Sequence, residues 1–310
     1  MNRSPARPRL SVTTGAKGVV SHIGARLLAD LADAVGLSDA LSEAMAPTKK
    51  RRRGWDRGRV LVDLAVALAD GATTITDLAI LRNQPGLFGE VASLATAWRT
   101  LEAVDDAARA RIQAARAEAR RAAWEAGADP GHYVIDIDAT LVEAHSEKEK
   151  ATPTYKHGFG HYPLMAYLDA TGEALVGRLR PGNAGSGTAG DMVAVLDAAL
   201  AQLPVDPADS EIIVRSDAAG LSHEFIDAAR ARSVRFCVGH RLMADLAAVV
   251  SDLPENAWVP SLSSDGATER EHAHAAEITD YLDLSTWPEG ARAIARRELA
   301  HPGAQLSFTD

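Results

Sequence analysis

From residue 20 to about 126 the apolar positions recur every three or four residues, and from 132 onward they fall in short β-branched runs. The first spacing lays one face of a helix on a core, and the second describes strands. Residues 20–46 carry Leu, Ala and Val at helical spacing, broken near Gly36-Leu37-Ser38, where Ser38 is predicted to cap a second helix. Residues 59–82 predict one helix or two, with Thr74 or Thr76 opening the second. Pro85-Gly86 reads as a turn. Residues 92–126 read as an Ala/Arg/Glu-rich helical stretch that Gly127 to Gly131 ends. The first 130 residues are therefore predicted to be an all-helical domain, with residues 1–18 extended or disordered and Pro47 to Gly58 a basic linker.

Strands are predicted at 132–138, 162–168 and 174–179, the last two joined as a hairpin through Asp169-Ala170-Thr171-Gly172-Glu173. Residues 143–160 read as a polar loop. A Gly-rich loop, Pro181 to Gly190, leads to a helix over 192–203 opened by Thr188 with Asp191. A strand over 211–216, a helix capped by Ser222, a strand over 234–238 and a helix over 242–250 complete the segment. The order to residue 238 is βββαβαβ, with right-handed crossovers after the hairpin. It is similar to the ribonuclease-H-like order, an α/β mixed sheet in which the first strand lies beside the fourth. This predicts a core over residues 131–253, followed at 254–310 by the start of a β-rich piece.

Composition is that of a soluble globular chain of 310 residues, with 46% hydrophobic and 24% charged residues. No run reaches about 18 apolar residues, so no membrane partner is expected. The basic, proline-containing start lacks the apolar region of a secretion signal, which makes the cytoplasm the default compartment. Cys237, the single cysteine, lies in an apolar run and is predicted to be buried. The net charge is −9 but is unevenly spread: residues 1–60 hold 12 Lys/Arg against 5 Asp/Glu, and the rest hold 21 against 37. Lys49, Lys50, Arg51, Arg52 and Arg53 are consecutive. Such a run favours a polyanion, or is a solvated linker between helices.

Asp138 and Asp217 each close a predicted strand, and each is followed by small residues. A carboxylate at the exit of a parallel strand sits where α/β sheets place their chemistry. Adjacent strands would bring the two acids to one sheet edge, as a start on holding hard divalent cations. Two Mg²⁺ ions activate an attacking oxygen and stabilise a leaving one in phosphodiester cleavage. On this reading Asp138 bridges both ions and Asp217 holds one. Asp136, two residues earlier on the same strand face, is a supporting acid or an alternative ligand. Lys156, His157 and His161 are candidate phosphate contacts, or parts of a solvated loop. No Cys/His spacing suggests zinc. The Gly-rich loop lacks the Lys-Ser/Thr of a phosphate-binding P-loop.

Val134-Ile135-Asp136-Ile137-Asp138-Ala139-Thr140, Ala144-His145-Ser146-Glu147-Lys148-Glu149 and Gly158-Phe159-Gly160-His161-Tyr162-Pro163-Leu164 resemble blocks of bacterial insertion-sequence transposases of the DDE type. So do Arg180-Pro181-Gly182-Asn183, Val214-Arg215-Ser216-Asp217-Ala218, Val60 to Ala65 and Asp77 to Leu81. The resemblance implies metal-dependent cleavage and strand transfer of double-stranded DNA with Mg²⁺, or Mn²⁺ in its place. Terminal inverted repeats would be bound by the helical domain and joined to target DNA, with a homodimer in the DNA complex. Asp138 and Asp217 match the first two acids. The third acid, a Glu on a helix beyond a β-rich insertion, has no match, and Glu269, Glu271, Glu277, Glu289 and Glu298 fall in the insertion or its helix. The chain thus reads as truncated at its C-terminus. Two readings compete with an active transposase: a non-catalytic module that binds terminal repeats, and another ribonuclease-H-like nuclease using Asp191 or Asp245 as third acid.

Overall fold

Helical spacing in the first part of the chain becomes seven α-helices in the computed structural model, which describes residues 21–49, 53–185, 188–263 and 266–299, the Asp245 side chain excepted. They are α1 (Ile23–Ala34), α2 (Leu37–Met45), α3 (Arg57–Ala69), α4 (Ala79–Arg82), α5 (Pro85–Phe88), α6 (Leu94–Glu102) and α7 (Asp106–Ala123). Their buried faces share one core that includes Ala29, Leu41, Val60, Val66, Leu78, Leu81 and Phe88.

Caps decide where these helices begin. Asp56 accepts from the Gly58 and Arg59 amides at the head of α3. Thr74 and Asp77 form a reciprocal capping box. Ser38 does not cap α2. Gly36, in the left-handed conformation at φ 75°, occupies that position, and the Ser38 hydroxyl turns back to donate to Asp33. The helical stretch expected over 92–126 divides into α6 and α7, because Asp105 accepts from the Ala108 amide at 2.7 Å and starts α7 afresh.

The second part comprises β1 (Tyr133–Ala139), β2 (Val142–Glu143), β3 (Thr152–Pro153), β4 (Phe159–His161), β5 (Leu164–Leu168), β6 (Glu173–Arg178), α8 (Ala189–Leu200), β7 (Ile212–Ser216), α9 (His223–Ala231), β8 (Arg235–Val238) and α10 (Ala244–Ser251). Thr188 and Ser222 cap α8 and α9 through the Asp191 and Phe225 amides. Five strands form a mixed sheet in the order β6-β5-β1-β7-β8. β5 runs antiparallel to both β1 and β6, while β1, β7 and β8 are parallel. The first long strand thus lies beside the fourth.

One sheet face is apolar: Ile135, Ile137, Ala166 and Val214 share a core with Met192, Val195 and Leu196 of α8 and Phe225 and Ala229 of α9. The other face carries Asp136, Asp138, Arg215 and Cys237. Cys237 is exposed, contrary to expectation. It pairs in register with Arg215 on the outer strand β8, so strand alternation turns it away from the helices.

The loop expected over 143–160 is not featureless. β2, β4 and β3 form a small antiparallel sheet. Gly160 and Gly182 permit its close approach to the main chain around it. A Cβ on Gly160 would lie 2.1 Å from the Val142 oxygen, and one on Gly182 2.5 Å from the oxygens of Gly160 and Thr152. At the C-terminal side, β9 (Val259–Leu262), β10 (Glu269–Glu277) and β11 (Ile294–Glu298) form a third sheet in the order β11-β10-β9. Leu253 joins its cluster with Trp258, Ala276 and Ile278, and Leu246 and Val250 of α10 pack against it. α10 therefore serves this sheet rather than the central core.

Arginines lock α7 to the edge of the five-stranded sheet. Arg116 donates to the Leu175 oxygen at 3.1 Å. Arg120, 5% exposed, donates through Nε to Glu173 Oε2 at 3.0 Å and through Nη1 to the Gln202 carbonyl. Breaking one side of such a pair strands the other; the half-exposed Glu173 recovers part of its loss from water. Arg120→Met is expected to cost about 2 kcal/mol, read as a lower urea midpoint at unchanged slope.

Candidate active site

The β1–β7 pairing places Ile137 opposite Ser216, so the next residues, Asp138 and Asp217, leave the sheet side by side. Neighbouring strands run about 4.8 Å apart. Both acids are exposed and line one shallow open cleft, with Ile137, Ala139, Tyr162, Leu164, Met192, Ser216 and Ala219.

Each carboxylate is oriented by its own backbone. Asp138 accepts from the Ala139 amide at 2.8 Å. Asp217 caps the short turn Ala218–Gly220 and accepts from the Ala219 amide at 2.9 Å. Among the described residues, neither is paired with a lysine or arginine. Two adjacent, uncompensated carboxylates are hard oxygen donors that suit Mg²⁺ or Mn²⁺. The set stops there: among the described residues no group of three His, Cys, Asp or Glu is arranged to hold a metal.

Asp136 lies on the same strand face but is engaged otherwise. Arg215 grips both its oxygens at 2.6 Å and reaches Asp169 at 2.8 Å. The hydrogen bond to Asp136 is the main reason the Arg215 guanidinium is held charged beyond its usual range.

Tyr162 was not singled out as a site residue from the sequence, yet it closes the cleft. Its phenol is pushed up by burial, then by Tyr155, Asp138 and Asp217, with Arg180 opposing. Arg180, 4% exposed, lies 5.2 Å over the Tyr162 ring and donates to the Tyr162 carbonyl at 3.1 Å. The sequence signal was present in Tyr162 itself, flanked by His161 and Pro163 at the start of a strand.

The other candidates separate. His161 is buried, its Nε2 3.2 Å from the Glu149 carbonyl, and it bridges to Pro181, so it braces the small sheet. Lys156 and His157 are exposed at the β3–β4 turn. Lys156 lies 5.8 Å over the Tyr155 ring, which meets Tyr162 edge-on at 5.8 Å, so this turn stands at the rim of the cleft. Asp191 is paired with Arg178 at 3.2 Å and Arg180 at 3.7 Å. The Asp245 side chain lies outside the described residues. Glu277 is held by Arg292, and Glu298 by Arg270 and Arg296. None of the five glutamates considered for the third position lines the cleft. Of the basic run, Lys49 and Arg53 are described, Lys49 donating to the Gly54 oxygen at 3.4 Å; Lys50, Arg51 and Arg52 lie outside. Residues 1–18 also lie outside the described residues. Among the described residues no helix is long and apolar enough to cross a membrane.

Several solved structures are faintly similar. The simian T-cell lymphotropic virus intasome in complex with PP2A regulatory subunit B56 gamma matches at 16% identity and TM-score 0.25, over 45% of this chain and 52% of its own. The Mos1 mariner paired end complex with Mn matches at 9% identity and TM-score 0.25, over 61% of each chain. The piggyBac transposase synaptic complex with hairpin DNA matches at 10% identity and TM-score 0.31, over 82% of this chain and 57% of its own. The chain thus spans between 52% and 61% of the length of these relatives. No curated protein matches. The family model of the transposase DDE domain, group 1, matches residues 3–309, and the chain belongs to that family.

Proposed function

We propose that this chain is a DNA transposase that cleaves the ends of an insertion sequence and joins them to target DNA. The observation that carries the reading is the shared cleft of Asp138 and Asp217, remote in sequence and unpaired with any described cation. Asp138 would hold two Mg²⁺ ions, or Mn²⁺, and Asp217 one of them, with water and substrate phosphate completing each shell. When bound, such ions activate an attacking oxygen and neutralise a leaving one. The core is read as ribonuclease-H-like over residues 131–253, and the sheet beyond as part of a β-rich insertion over 254–310.

The remaining chemistry belongs to the chain's own side chains. The raised Tyr162 phenol stays protonated at working pH and donates to a phosphate oxygen at the cleft. Lys156 and His157 meet phosphates flanking the cut. The helical part, residues 1–130, binds terminal inverted repeats, with Lys49 to Arg53 supplying charge. A homodimer would hold two ends together in the bacterial cytoplasm, at the nucleoid. A second reading, a non-catalytic module that binds terminal repeats, is favoured by one observation: no third carboxylate joins the pair among the described residues.

Asp138→Asn and Asp217→Asn should each lower Mg²⁺-dependent cleavage of element-end DNA by at least about 10²-fold while leaving DNA affinity within about twofold. Cleavage that survives both changes sinks the reading, whereas a wild-type chain that binds repeats and never nicks them supports the second one. Tyr162→Phe should slow single-turnover cleavage by about tenfold at unchanged DNA affinity, the value of one charge-assisted hydrogen bond. Replacing Lys49 to Arg53 by Gln should flatten the log-affinity against log-salt slope by up to about 4.5, at about 0.9 per phosphate contact. An unchanged slope would make the run a linker.

A further inference from the structure

The Asp136-Ile137-Asp138 segment presents two carboxylates on one strand face, spaced about 6.6 Å apart along the strand. Either could serve a cation. They are treated differently by the chain around them. Asp136 is taken by both arms of the Arg215 fork at 2.6 Å, and Arg215 is tied down by Asp169 at 2.8 Å. Asp138 has no such partner among the described residues.

The source of this selectivity is strand register. In the parallel β1–β7 pair Asp136 faces Arg215, one pleat behind the point where Asp138 and Asp217 emerge. The neighbouring antiparallel strand adds Asp169 just beyond β5, where its amide bonds to the Val134 oxygen at 2.9 Å. A guanidinium matched to a carboxylate by two parallel hydrogen bonds is a strong and directional pairing. It engages both Asp136 oxygens, so a cation there would have to compete with the guanidinium charge. It also offsets a negative charge that would otherwise stand one pleat behind the acidic pair.

We propose that Arg215 is a positioning residue that withholds Asp136 from the cleft, so that Asp138 alone of the two β1 acids is presented to a divalent cation. The proposal rests on the metal-binding reading of Asp138 and Asp217. Arg215 touches no reacting atom on this view. It acts by removing a competing ligand, and its loss should create a three-carboxylate set where there were two.

The test uses Mn²⁺ alone, titrated into the full chain without DNA and followed by electron paramagnetic resonance and calorimetry. Arg215→Met, which removes the charge and keeps an apolar stem, should bind Mn²⁺ about tenfold more tightly than wild type, because affinity rises with the number of charged ligands. Adding Asp136→Asn to that variant should return the affinity to the wild-type value. Asp136→Asn alone should leave Mn²⁺ affinity unchanged and provides a readout should Arg215→Met fail to fold. An unchanged isotherm in Arg215→Met, or a weakened one in Asp136→Asn, overturns the clamp. Asp138→Asn separates the two ideas: retained wild-type Mn²⁺ affinity there sinks the reading of the cleft, while the gain expected in Arg215→Met reports on Arg215 itself.

Discussion

The site depends on the parallel pairing of β1 with β7. Among the described residues, the side chains of Asp138 and Asp217 are each held by the amide of a near neighbour, so it is the strand pairing that brings the two together. The pairing is held in register from one face. Ile135, Ile137 and Val214 are buried against α8 and α9, and slipping one strand by a single residue would turn those side chains to solvent and the acids inward. The cost of burying several aliphatic side chains wrongly, about 2 kcal/mol each, makes the register firm. The polar face is then free to carry charge, and the Asp136–Arg215 pair adds a cross-strand tie on it.

Around that pair the chain builds a ledge. The small sheet of β2, β4 and β3 is joined to the segment after β6 by close backbone packing at Gly160 and Gly182, by the Asn183 amide donating to Thr152 Oγ1 at 3.0 Å, and by the His161–Pro181 bridge. Its far end leads into Tyr162, whose carbonyl is held by the buried Arg180. The phenol beside the carboxylates is thus carried on a supported element rather than on an open loop. Support of this kind is what a group needs if it is to meet a phosphate in one geometry.

Much of this frame was legible in the chain because it rests on period and on caps. The strands ending at Asp138 and Asp217, the hairpin between them, and the helices opened by Thr188 and Ser222 are all set by local signals. What escaped had non-local causes. Cys237 sits in an apolar run, but the run is an outer strand and alternation exposes every second residue. Strands of two or three residues such as β2 and β3 carry too little pattern to be seen, and they form only because β4 lies between them. α10 has the look of a core helix, yet its apolar side chains serve the third sheet. The role of Asp136 was ambiguous in sequence because its arginine partner is on another strand.

The same non-local pairing changes how the charge of the N-terminal part is to be read. Residues 1–60 are strongly basic by count, but several of those bases are spent within the fold. Arg26 donates to the Leu87 oxygen and pairs with Asp30 at 2.7 Å. Arg57 holds Thr48, and Arg59 joins Asp63 at 2.9 Å to the Phe88 oxygen. Farther along, Arg111 donates to the Ala44 oxygen at 2.7 Å. Arginines turned onto internal carbonyls are poorly placed to reach a polyanion, and those paired with a carboxylate, Arg26 and Arg59, also have their charge offset. Charge counting over residues 1–60 therefore overstates the charge that the described residues leave available to an external partner.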